Sequence, residues 1–119
     1  MSRILVTGAS GMLGAATARR LLLAGHEVTT FQRSVSPVAQ AHDIRGTLHD
    51  DADVARAVAG HDAVVHVAAK VSVSGAWSEY EATNIVGTRR LLAAAQAAGV
   101  GAFTHISPPT VAHTGTSIV

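Results

Sequence analysis

Short apolar runs alternate with longer amphipathic stretches along the whole chain. Ile4-Leu5-Val6 opens a strand over residues 3–7. Gly14, Ala18, Leu21, Leu22 and Gly25 then recur at helical spacing, which predicts a helix over 12–24 ended by Gly25-His26. Glu27-Val28-Thr29-Thr30-Phe31 reads as a second strand, and the polar, Pro-containing stretch from Gln32 to Gln40 as loop. A short third strand is expected near Ala41–Ile44. Asp50 or Asp51 can cap a helix that runs to Ala59, with Val54 and Val58 four apart. Residues 62–67 read as a fourth, buried strand, 78–98 as a long helix, and Ala102–Ser107 as a fifth strand stopped by Pro108-Pro109. On the long helix Asn84, Thr88, Leu91, Leu92 and Ala95 share one face. Alternating strands and helices imply a parallel sheet with right-handed crossovers. Apolar strands without alternation fit a sheet covered on both faces.

The chemistry concentrates in Val6-Thr7-Gly8-Ala9-Ser10-Gly11-Met12-Leu13-Gly14, at the first strand-to-helix turn. Three glycines spaced three apart there suit the pyrophosphate of a dinucleotide. Gly8 allows the tight turn, Gly11 lets the backbone approach a phosphate, and Gly14 lets the helix pack on the sheet. Ser10, Met12 and Leu13 complete the loop, and the helix N-terminus offers N–H groups to an anion. The alternative is that all three glycines serve turn and packing without a ligand.

Composition narrows the classes. The 119 residues suffice for one domain, 1–119. A hydrophobic share of 48% against 14% charged fits a buried sheet rather than a disordered chain. The formal net charge of +1 gives no electrostatic footprint for nucleic acid. Without cysteine, thiol chemistry is excluded and a cytoplasmic setting is compatible. No apolar run reaches the ~20 residues of a membrane span. Seven histidines invite a metal reading, but their spacing carries no ligand pattern and no metal site is expected. His66 and His105, in strands, are expected to be buried and hydrogen-bonded. Arg89-Arg90 reads as a solvated pair, and Trp77 and Tyr80 as packing residues near a substrate mouth.

Five pieces in order resemble the extended branch of the short-chain dehydrogenase/reductase superfamily, which holds NAD(P)-dependent epimerase/dehydratases and 3β-hydroxysteroid dehydrogenase-like proteins. They are the glycine turn, Asp43-Ile44, the stretch Gly60–Ala69, Asn84-Ile85-Val86-Gly87-Thr88, and Phe103–Ser107. The resemblance implies a Rossmann-type doubly wound parallel sheet in the order 3-2-1-4-5. It implies that the chain is the N-terminal part of a longer protein, interrupted after strand five. Asp43 and Ile44 would lie beside the adenine, Ala68 and Ala69 along the ribose and phosphates, Lys70 at their rim, and Asn84 beneath the active centre. The other reading of Asn84 is a buried amide that satisfies a neighbouring loop.

At the end of strand two the family commonly carries an acid that binds the ribose 2′-hydroxyl. Here the stretch is Gln32-Arg33-Ser34. Gln32 brings no charge against a 2′-phosphate, and Arg33 can pair with one. NADP is therefore expected in preference to NAD, with a solvated Arg33 as the alternative. The resemblance implies hydride transfer between a nicotinamide and a hydroxyl or carbonyl carbon of a small-molecule substrate, in a protein that could form homo-oligomers. The family's Tyr-x-x-x-Lys pair cannot be assembled from Tyr80 and Lys70, because the lysine comes first. Anchored on Val111-Ala112-His113, the usual catalytic hydroxyl falls at Pro108, leaving Ser107 or Thr110 as neighbouring substitutes. These two departures motivate a second reading, a non-catalytic dinucleotide-binding or redox-sensing protein.

Overall fold

A computed structural model describes residues 2–9, 11–33, 37–67 and 77–106, the side chains of 77–84 excepted. The elements follow in the order β1 (Arg3–Thr7), α1 (Met12–Leu23), β2 (Glu27–Gln32), β3 (His42–Arg45), α2 (Asp51–Val58), β4 (Ala63–Val67), α3 (Trp77–Ala97) and β5 (Ala102–Ile106). The five strands form one sheet in the order β3-β2-β1-β4-β5, parallel throughout. This is the expected Rossmann-type order, and strand and helix boundaries fall within a residue or two of those read from the periodicity.

Alternation along β1 divides the core between the two faces of the sheet. Ile4 and Val6 pack with Ala15 and Ala18 of α1 and with Val38. Leu5 packs on the opposite face with Phe31, with Val54, Ala57 and Val58 of α2, and with Leu91 and Ala95 of α3. Leu5 and Val6 are both fully buried, as a strand in the middle of a sheet covered on both sides requires. The small residues of α1 decide how close that helix comes: Gly14, Ala15 and Ala18 are its buried positions.

Local chemistry fixes the ends. Gly25 takes φ 95 after α1, the left-handed conformation that glycine adopts without strain. Asp50 caps α2, its carboxylate accepting the N–H groups of Ala52 at 2.8 Å and Asp53 at 3.0 Å.

Three expectations are corrected. Arg90 is not solvated: its Nη1 donates to the carbonyl of Leu48 at 2.6 Å and its Nε lies 2.6 Å from Asp51. It ties α3 to the segment before α2, and only Arg89 of the pair is exposed. His105 is exposed, because β5 is the outer strand of the sheet among the described residues. Leu92 does not share the packed face of Leu91 and Ala95: those two are buried and Leu92 is exposed.

Candidate dinucleotide-binding site

Because β1 is flanked by β2 on one side and β4 on the other, the strand order reverses beside it. In such sheets a crevice opens at the carboxyl ends of the strands at this point. The turn from β1 into α1 lies there. Gly8 has φ 79 and donates its N–H to the carbonyl of Phe31 at 3.2 Å. A Cβ on Gly8 would sit 2.7 Å from the carbonyl oxygen of Val67. One on Gly14 would sit 2.1 Å from the carbonyl oxygen of Gly8 and 2.6 Å from its carbon. Both glycines are required by the backbone itself.

Gly11 differs from the other two. Its N–H donates to Gly8 at 3.2 Å, its φ is −88, and an added Cβ would only reach ordinary contact with the Gly8 oxygen at 3.7 Å. Among the described residues nothing makes a steric demand for glycine at 11. Gly11 is also the N-cap of α1, and among the described residues no side chain caps that helix. The first-turn amides of such a helix lack intrahelical acceptors. No acidic residue in the first turn of α1 offsets the positive end of the helix dipole. Met12 is 90% exposed and Leu13 40%, so this helix start opens outward. It can receive an anion.

The end of β2 is built differently from a free hydrogen-bonding position. Gln32 is buried, and its Nε2 donates to Oδ1 of Asp43 on the neighbouring strand. The same Oδ1 accepts the Thr30 hydroxyl at 3.2 Å, and Nε of Arg45 lies 3.7 Å from Oδ2. The Oε1 of Gln32 is buried without a hydrogen-bond partner among the described residues. Arg33, next along the chain, is exposed. Asp43 thus spends its carboxylate on protein donors, while Ile44 packs against the core that holds Phe31.

At the carboxyl end of β3 stand Gly46, Thr47 and Leu48, positions that the reading of the sequence did not single out. Gly46 donates to the Gln32 carbonyl at 3.1 Å, and Thr47 to Oδ2 of Asp53 at 3.1 Å. Gly46 is closely held: a Cβ there would lie 2.8 Å from both Asp53 and Phe31. The signal was available as a glycine directly after a strand and four residues before the Asp50 cap.

His66 occupies β4 in register with Thr7 of β1. As expected it is buried and hydrogen-bonded, with Nδ1 2.6 Å from the Thr7 hydroxyl and Nε2 3.0 Å from the Thr88 hydroxyl of α3. The His105 ring stacks on it at 5.1 Å. Burial, and secondarily the charge of His105, lower its pKa to about 4. The imidazole is therefore neutral at physiological pH and joins α3 to the sheet.

Ser10, Ser34, Ala68, Ala69, Lys70, Ser107, Pro108 and Thr110 lie outside the described residues, as does the side chain of Asn84. The same holds for the side chains of Trp77 and Tyr80. Among the described residues no cluster of His, Asp and Glu could hold a metal ion.

The family model of the NAD dependent epimerase/dehydratase family matches residues 4–117. The chain belongs to this family. A 2-alkyl-3-oxoalkanoate reductase of Stenotrophomonas maltophilia is 43% identical over 117 residues, covering 96% of this chain and 36% of the relative. A 3-beta-hydroxysteroid dehydrogenase of Mycolicibacterium neoaurum is 38% identical, covering 100% of this chain and 35% of the relative. The chain therefore spans about a third of the length of these relatives. Among solved structures, a short-chain dehydrogenase/reductase superfamily protein from Agrobacterium tumefaciens with bound NAD superimposes with a TM-score of 0.75 at 37% identity, over 87% of this chain and 31% of that one. This epimerase/dehydratase-family chain has the five-stranded order that the resemblance implied.

Proposed function

We propose that this chain is the dinucleotide-binding part of an NAD(P)-dependent oxidoreductase or epimerase, one that moves hydride between the nicotinamide and a hydroxyl or carbonyl carbon. One observation carries the reading. Gly8 and Gly14 are fixed by backbone contacts, whereas Gly11 puts no side chain of its own at a helix start that no described side chain caps. That is the arrangement a pyrophosphate requires. The solved A. tumefaciens relative has NAD bound, and the curated relatives are named as reductases and dehydrogenases, which favours an enzyme over a non-catalytic sensor.

The residues present fit such a cofactor. The amides at the start of α1 would hold the pyrophosphate, and the end of β2 would face the adenosine ribose. The bound nicotinamide would supply the redox chemistry, while the protein orients it. Asp43, Ile44, Ala68, Ala69, Lys70 and Asn84 are proposed to line or support the site, and Ser107 or Thr110 to provide the catalytic hydroxyl. Asp43 would act from the second strand pair rather than as a free ligand, given its bonds to Gln32 and Thr30.

Within this reading NADP is preferred to NAD. Gln32 is uncharged, and the exposed guanidinium of Arg33 makes no ion pair among the described residues. Ser34 would add a hydroxyl beside it. Cytoplasmic location is proposed with the same function; no helix among the described residues is long and apolar enough to cross a membrane. Titration with NADPH and NADH tests the cofactor assignment. Tighter NADPH binding, weakened by Arg33→Ala, is expected; equal or tighter NADH binding would overturn the preference. A hydride-transfer assay on the protein encoded by the complete gene separates the enzyme from a sensor.

A further inference from the structure

The cluster at the end of β2 has a property that the glycine turn does not explain. A carboxylate only accepts hydrogen bonds, so Asp43 dictates which end of the Gln32 amide faces it. Nε2 is turned to Asp43, and the opposite orientation would set two oxygens against each other. Oε1 is consequently turned away, buried and without a donor among the described residues. Thr30 adds a second donor to the same carboxylate oxygen, at 3.2 Å. One N–H of the Gln32 amide is therefore committed within the protein, which fixes the orientation of the amide at the end of β2. The charge of Asp43 sits in the same cluster, opposed by Arg45 at 3.7 Å.

We propose that Asp43 is a positioning residue that sets the discrimination between a 2′-phosphate and a 2′-hydroxyl, by pinning the Gln32 amide and by placing a negative charge beside the end of β2. This rests on the proposal that a dinucleotide binds with its adenosine ribose at that strand end. Asp43 restrains the preference that Arg33 confers, and Arg45 relieves part of that restraint. Substitutions at 43 and 45 should thus move selectivity in opposite directions. A purely structural role would weaken both cofactors alike.

The test measures the affinities of NADPH and NADH for the wild type, Asp43→Asn and Arg45→Gln, with the thermal midpoint of each protein. Asp43→Asn keeps the shape and removes the charge. It is expected to raise the NADPH-over-NADH affinity ratio about threefold to tenfold, the effect of one charge several ångströms away near a protein surface. Arg45→Gln is expected to lower the ratio by a similar factor, and both shifts should shrink as salt is raised. Arg45 is exposed, so its variant remains informative even if Asp43→Asn folds poorly. Unchanged ratios in folded variants would overturn the proposal. A wild type that binds neither dinucleotide would instead overturn the functional reading on which it rests.

Discussion

Acidification should loosen this fold through His66. The neutral ring satisfies both nitrogens with hydroxyls, of Thr7 on β1 and Thr88 on α3, and lies only 2% exposed. Protonation would place a charge in that site, beside His105 at 5.1 Å. The unfolded chain holds a histidine of pKa about 6.5. In the folded chain the value is about 4, so the unfolded state binds the proton more tightly. The contribution of His66 is complete above about pH 6.5 and is lost as pH falls from there toward 4. Linkage puts the loss at roughly 2–3 kcal/mol by about pH 4.5. Urea unfolding at about pH 7.5 and pH 4.5, for the wild type and His66→Gln, measures it. Other groups titrate in the same range, so the quantity that matters is the difference between the two proteins' pH dependences. His66→Gln should lack most of that loss. Equal pH dependence in both proteins would refute the argument.

Gly14→Ala is expected to destabilise the fold by about 3 kcal/mol or more, although alanine is the better helix former, because the new methyl meets the Gly8 backbone at 2.1 Å. Chemical denaturation checks this. Arg90→Ala should cost about 1–2 kcal/mol through loss of the bond to the Leu48 carbonyl, with Arg90→Lys intermediate, in the same assay. Asp50→Ala should cost about 1 kcal/mol by removing the α2 cap, and Asp50→Ser should recover most of it.

The element order was legible because the strands are apolar runs and the helices repeat at their own period. The glycine turn was legible because strand, glycines and helix follow without interruption. What was hidden depends on neighbours distant in sequence. Gln32 and Asp43 are eleven residues apart, and only the parallel register of β2 with β3 brings the carboxylate to the amide. Arg90 looks like half of a solvated pair until α3 packs over Leu48, 42 residues earlier. His66 and His105 occupy similar apolar strands and even the same register. One is buried and the other exposed because β4 is interior to the sheet and β5 lies at its outside.

The account stands most directly on Gly11. Among the described residues its added methyl would meet the Gly8 oxygen alone, at 3.7 Å, so Gly11→Ala should fold, with a thermal midpoint close to that of the wild type. The same methyl would stand at the start of α1, where the pyrophosphate is proposed to bind. Calorimetric titration of the wild type and Gly11→Ala with NADPH decides the matter. A loss of affinity of about tenfold or more, roughly 1.4 kcal/mol, at unchanged stability is the expected result. Equal affinity in the two proteins would contradict the assignment of this turn as the dinucleotide site.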